Sequence, residues 1–124
     1  MVDITDRVRE ALEDSGITEG MALVFVPGAT GALSTIEFEP GLQRDFPELV
    51  EKLIPRRQSY HHNETWGDGN GHSHLRATLL GPSLTIPIQS GGLVLGTWQQ
   101  IVFLEFDNRP RERRLVVQFM GEKG

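Results

Sequence analysis

The spacing of apolar residues in the first half of the chain predicts two helices and two strands. Val8, Ala11 and Leu12 recur at helical intervals, and Asp3 or Thr5 precedes them as a cap. The predicted helices cover residues 4–14 and 42–53, and the predicted strands cover residues 21–26 and 33–39.

In the second half, apolar runs are short and are separated by glycine and proline, as in a series of strands. These predicted strands cover residues 75–80, 84–88, 93–95, 101–106 and 115–120. Two early helices followed by strands predict an α+β fold. We expect one β-rich, sandwich-like domain over residues 1–124 with two helices.

All four histidines lie in residues 61–74, within or beside a polar segment, residues 55–71, that is long for a loop. If residues 75–80 continue a strand, His72 and His74 project side by side, because alternate residues of a strand share a face. His62 or Asp68 could then complete a three-ligand metal site with one open position. Alternatively, the histidines occupy a solvated loop without a site.

Two further features could carry chemistry. Four arginines lie among residues 109–114, where Arg109 and Arg111 could bind phosphate, or could be the solvated tip of a hairpin. Glu37 lies on the polar face of its predicted strand. It could be a general base or a metal ligand if that face lines the histidine cleft, and otherwise it is solvated.

Composition narrows the classes of partner and location. The net charge of −5 argues against a nucleic-acid binder, and no apolar run is long enough to span a membrane. The absence of cysteine and of a signal-like start is typical of a cytoplasmic protein. A chain of 124 residues with apolar runs at 93–95 and 101–104 is expected to oligomerise.

Several sequence blocks resemble the YjbQ-like family, whose members carry the name secondary thiamine-phosphate synthase. The shared blocks are Tyr60-x-His62-Asn63, Gly71-His72-Ser73-His74, Leu80-Gly81-Pro82-Ser83-Leu84 and Gly96-Thr97-Trp98-Gln99. The resemblance covers nearly the whole chain. It implies a β-rich α+β fold, a homotrimer, and a polar cleft with histidines and a glutamate near a subunit boundary.

The resemblance also implies a reaction and its residues. A pyrimidine pyrophosphate is joined to a thiazole phosphate, with release of pyrophosphate. The resemblance matches Glu37, His62 and His74 to site residues of the family. Together with Asp68 they are the predicted catalytic residues, and the predicted substrate-binding residues are Asn63, Gln99, Arg109 and Arg111. One family histidine is absent, because Gly28-Ala29-Thr30 stands where the family has His-Thr-Thr or His-Thr-Ser. His72 could replace it in space.

The expected metal depends on the chemistry. A transferase that releases pyrophosphate would use Mg²⁺, which prefers oxygen ligands, whereas His62, His72 and His74 favour zinc or another transition metal. Two alternatives therefore stand beside the synthase. One is a metal-dependent hydrolase or lyase acting on a small phosphorylated metabolite. The other is a non-catalytic trimer that binds a metal or an anion.

Overall fold

A computed structural model describes residues 1–124, which form seven strands and four helices. The strands are β1 (Val2–Asp3), β2 (Ile17–Phe25), β3 (Gly31–Ile36), β4 (Ser83–Gln89), β5 (Gly92–Leu93), β6 (Gln100–Glu105) and β7 (Val116–Lys123). The helices are α1 (Thr5–Ser15), α2 (Pro40–Leu53), α3 (His61–Trp66) and α4 (Gly71–Leu80). None of the helices is both long enough and apolar enough to cross a membrane.

Two antiparallel sheets share one core, which confirms the β-rich α+β class. Their strand orders are β1-β6-β3 and β5-β4-β2-β7. The core joins Leu33 and Ile101 of the first sheet to Val24 and Ile86 of the second, and Val8 of α1 closes it. The early elements match the predicted pattern because their apolar residues are the ones that become buried.

Both predicted helices form, and each begins at a carboxylate. Asp3 accepts hydrogen bonds from the backbone N–H and the hydroxyl of Thr5, at 3.0 and 2.6 Å. Glu39 caps α2 by accepting the N–H groups of Gly41 and Leu42. These bonds satisfy donors that the first turn of a helix leaves free.

The predicted strand over residues 75–80 is wrong, because this segment belongs to α4. The buried face of α4 is mostly polar and includes His72, Ser73 and Arg76, whereas Leu75 and Leu79 are 48% and 65% exposed. The buried positions of α4 therefore recur at helical intervals, but the residues at these positions are mostly polar. With α3, this makes four helices rather than the two that were expected.

The apolar run that was expected at a subunit interface lies in the core instead. Ile101, Val102, Phe103 and Leu104 are all at least nine-tenths buried within the single chain. Exposed apolar side chains lie elsewhere, and one group of them is on the outer face of the β2–β7 pair. There Met21 pairs with Met120 and Phe25 with Val116 across the two strands, and all four side chains are exposed.

Candidate functional site

The polar segment folds into α3 and the start of α4, which pack closely at Gly71. The N–H of Gly71 donates to Oδ1 of Asn63 at 2.9 Å. A Cβ atom at Gly71 would lie 2.7 Å from Cβ of Tyr60, so a larger residue would push the helices apart. Asn63, a predicted substrate-binding residue, is thus occupied in holding the two helices together.

This packing brings His62 of α3 against His74 of α4. Their ring centroids are 4.4 Å apart, and the ring planes are tilted by 45°. Nδ1 of His62 lies 3.8 Å from Oδ1 of Asp68, and this nitrogen is buried without a hydrogen-bond partner. Imidazole both accepts and donates protons near neutral pH, so the pair beside a carboxylate is suited to acid–base chemistry.

His72 points to the other side of α4, so the expected side-by-side arrangement with His74 is wrong. Residues two apart on a helix are separated by roughly 200°. His72 is only 2% exposed, and its Nε2 lies 3.2 Å from the hydroxyl oxygen of Ser73. Burial, together with the charges of Arg76 and Arg56, holds the pKa of His72 below its ordinary value of 6.5.

The tautomer of His72 follows from its neighbour. Ser73 has a single hydroxyl proton and donates it to the carbonyl oxygen of Phe106. The hydroxyl oxygen must therefore accept from His72, which places the ring proton on Nε2. Nδ1 is left as a buried lone pair without a donor.

The three-histidine metal centre does not form within one subunit. No group of three or more histidine, cysteine, aspartate or glutamate side chains is arranged to hold a metal ion. The physical reason is the helical geometry that separates His72 from His62 and His74. Binding of zinc, of another transition metal or of Mg²⁺ stays a prediction.

Glu37 and Gln99 lie at the far end of the β3–β6 pair from the histidines. Ser73 contacts Phe106, just beyond the end of β6, whereas Glu37 follows the opposite end of β3. At about 3.3 Å per strand residue, this separation is roughly 20 Å. The amide of Gln99 is engaged with Gly96 and Thr35, each at 3.0 Å. Within one subunit, neither residue reaches the histidine pair.

The arginines of residues 109–114 differ in their contacts. Arg111 forms an ion pair with Asp107, and Arg113 donates to both carboxylate oxygens of Glu105 at 2.6 Å. Although burial disfavours the charged form of Asp107, hydrogen bonds from Arg111, from the Asn108 N–H and from Asn70 lower its pKa. Arg109 is exposed and makes no ion pair. The side chain of Arg111 is thus already paired with a carboxylate of its own chain.

A polar cleft beside His72 contains residues that the sequence prediction missed. Its volume is about 460 Å³, and its lining residues are Glu51, Arg56, Arg57, Gly69, His72 and Asn108. They come from three separate segments, so no local motif marks the cleft. The one signal in the sequence is the adjacent pair Arg56-Arg57 in an acidic chain.

The family model described as UPF0047 protein YjbQ-like matches residues 1–122. The chain belongs to this YjbQ-like family. A UPF0047 protein of Archaeoglobus fulgidus is 47% identical over 118 residues, which cover 95% of this chain and 89% of that relative. The UPF0047 protein YugU of Bacillus subtilis is 34% identical and covers 98% and 89%. These names state the family and no reaction.

Solved structures of YjbQ-like proteins have the same fold. A YbjQ-like protein of unknown function from Sulfolobus solfataricus superimposes with a TM-score of 0.93 at 40% identity, over 98% of this chain and 86% of that one. A hypothetical protein from Aeropyrum pernix superimposes with a TM-score of 0.91 at 40% identity, over 98% of this chain and 88% of that one. The family and the fold are therefore established.

Proposed function

We propose that this YjbQ-like protein is an enzyme that acts on a small phosphorylated metabolite, with His62 and His74 as its acid–base pair. The observation that carries the proposal is the contact between the two rings, 4.4 Å apart, beside the carboxylate of Asp68. A second support is the buried Nδ1 of His62, which lacks a partner. Buried polar atoms without partners are uncommon in folded proteins.

Each group has a distinct role in this proposal. Asp68, whose Oδ1 lies 3.8 Å from Nδ1 of His62, orients that ring once substrate binding brings the two atoms to hydrogen-bond distance. His74 is half-buried, unlike its neighbour Ser73, and in this proposal it is the imidazole that meets the incoming substrate. One imidazole donates a proton to the leaving group while the other stabilises the charge that remains.

For the reaction, we propose the synthase chemistry that the family resemblance implies. The thiazole nitrogen forms a bond to the methylene carbon of the pyrimidine, and the bond from that carbon to pyrophosphate breaks. Its electron pair leaves on the pyrophosphate oxygen. Stabilising that oxygen by hydrogen bonds or a proton accelerates such a departure, which is what the imidazole pair can supply.

The test is a turnover assay with both substrates, the pyrimidine pyrophosphate and the thiazole phosphate. Release of pyrophosphate is measured with a chelator, with Mg²⁺ and with Zn²⁺. We expect release that requires both substrates. Hydrolysis of simple phosphate esters only with Zn²⁺ would favour the metal-dependent hydrolase, and no turnover under any condition would favour the binding protein.

We further propose that the protein is a homotrimer in which a neighbouring subunit completes the site around His62 and His74. Glu37 lies roughly 20 Å from the histidines of its own chain, so only another subunit could bring a Glu37 to them. The outer face of the β2–β7 pair offers an apolar surface, on which Met120 is 69% exposed. Exposed apolar patches commonly mark protein interfaces.

Light scattering on a sizing column tests the assembly. We expect a mass three times that of the 13.9 kDa chain. Met120→Asp places a charge on the apolar face and is expected to lower the mass. Leu53→Asp, at an equally exposed apolar residue of α2, is the matched control. A monomer mass for the unaltered protein at micromolar concentration would refute the trimer.

A further inference from the structure

The cleft beside His72 has the composition of an anion site. None of its lining residues is hydrophobic, and two of them, Arg56 and Arg57, are arginines. Its volume of about 460 Å³ lies within the usual range for small-molecule sites. The cleft also lies beside the amino end of α4, a ten-residue helix whose dipole favours negative charge there.

The charges of the cleft are unbalanced. Its one carboxylate, Glu51, is engaged with Nη2 of Arg76 at 2.6 Å and accepts the backbone N–H of Arg56. The hydrogen bonds from the Arg56 N–H and the Arg76 side chain, with the charges of these two arginines, outweigh the effect of burial and lower the pKa of Glu51. The guanidinium groups of Arg56 and Arg57 form no ion pair of their own. The cleft is therefore locally positive in a chain whose net charge is −5.

His72 supplies a second, independent observation. His72 lines the cleft, is only 2% exposed and has a buried Nδ1 atom with no hydrogen-bond partner. Burying a polar atom without a partner is unfavourable, so its retention here points to a ligand that pairs with it. A hydroxyl on a phosphoryl group would donate to this lone pair, while its charged oxygens contact the two arginines.

We propose that the cleft formed by Arg56, Arg57, His72 and Asn108 binds the phosphoryl group of the substrate. This inference deepens the proposed function and rests on it. It moves the phosphate site away from residues 109–114, where Arg111 and Arg113 already hold carboxylates. Asn108 donates to the backbone oxygen of Asp68 at 2.9 Å. Gly69, which lines the cleft, directly follows the Asp68 that lies beside His62.

The test is direct calorimetric binding of inorganic pyrophosphate and inorganic phosphate to the full protein, without metal or second substrate. We expect binding by the unaltered protein and a Kd at least about tenfold higher in the double variant Arg56→Ala/Arg57→Ala. Each tenfold change corresponds to about 1.4 kcal/mol. His72→Asn, which keeps a polar group, is expected to weaken binding without removing the arginines.

The matched control is Arg7→Ala/Arg44→Ala, which removes two charges from exposed arginines that line none of the clefts described here. Equal loss of affinity in both double variants would show general charge attraction and overturn the site. Absence of binding by the unaltered protein at millimolar ligand would overturn it as well. Binding that is lost only with Arg56 and Arg57, in a protein without turnover, would support the cleft and reject the proposed reaction. Turnover unchanged in Arg56→Ala/Arg57→Ala would reject the cleft and retain the reaction.

Discussion

Replacing His74 with alanine is expected to lower turnover by about 10²–10⁴-fold, the usual contribution of a positioned acid or base. The variant removes the ring that contacts His62 at 4.4 Å. Pyrophosphate binding should persist, because His74 lies on the opposite side of α4 from the phosphoryl cleft. The measurements are kcat for pyrophosphate release and Kd for pyrophosphate, with circular dichroism to verify folding.

His61→Ala is the matched control for this experiment. His61 is a neighbouring imidazole whose side chain is fully exposed and contacts only Glu64, at 3.7 Å. Its removal should leave turnover unchanged. If His74→Ala and His61→Ala are equally active, the histidine pair is not catalytic and the protein is better described as a binding module.

The second large effect is expected for stability. Arg113→Ala should lower the free energy of unfolding by about 1.5–3 kcal/mol, since it leaves the partly buried carboxylate of Glu105 without its two hydrogen bonds from a charged donor. Arg113 donates to both oxygens of Glu105 and to the hydroxyl of Thr30, each at 2.6 Å. Arg114→Ala, at an exposed neighbour without an ion pair, should cost far less. Urea unfolding of the two variants measures the difference.

The same pair predicts how stability depends on pH. Burial alone would raise the pKa of Glu105, but hydrogen bonds from Arg113 and from the Asp107 N–H lower it below its ordinary value of 4.5. The unfolded state therefore binds this proton first as the solution becomes acidic. The stabilisation is complete above about pH 4.5 and is lost as the pH falls through the folded pKa. An acid transition of equal steepness in Arg113→Ala would contradict this account.

Hydrophobic spacing predicted the elements whose buried residues are apolar. It missed α4, whose buried residues are mostly polar. In α1, Val8 and Leu12 mark the buried face directly. In α4, Arg76 is buried because it donates to the carbonyl oxygen of Ile54 and pairs with Glu51. These are contacts over more than twenty residues. No count of hydrophobic spacing can register them.

The candidate site shows the same limit. The crowding of histidines directed attention to residues 61–74, but the grouping of their side chains depended on whether the segment is a strand or a helix. Helical geometry pairs His74 with His62 and turns His72 toward Arg56 and Arg57. Glu37 matched the family pattern, yet a single chain leaves it at the far end of the sheet, a separation that only the strand register reveals.

Because His72 and His74 project from opposite sides of α4, the thickness of this helix fixes the minimum distance between their sites. With side chains, a helix is about 10 Å across, which sets the span between the phosphoryl cleft and the imidazole pair. A metabolite that touches both must pass around the helix and is therefore longer than that. Inorganic phosphate would bind in the cleft without reaching His74. The length of a phosphorylated compound, in addition to its charge, would therefore decide whether it reacts or only binds.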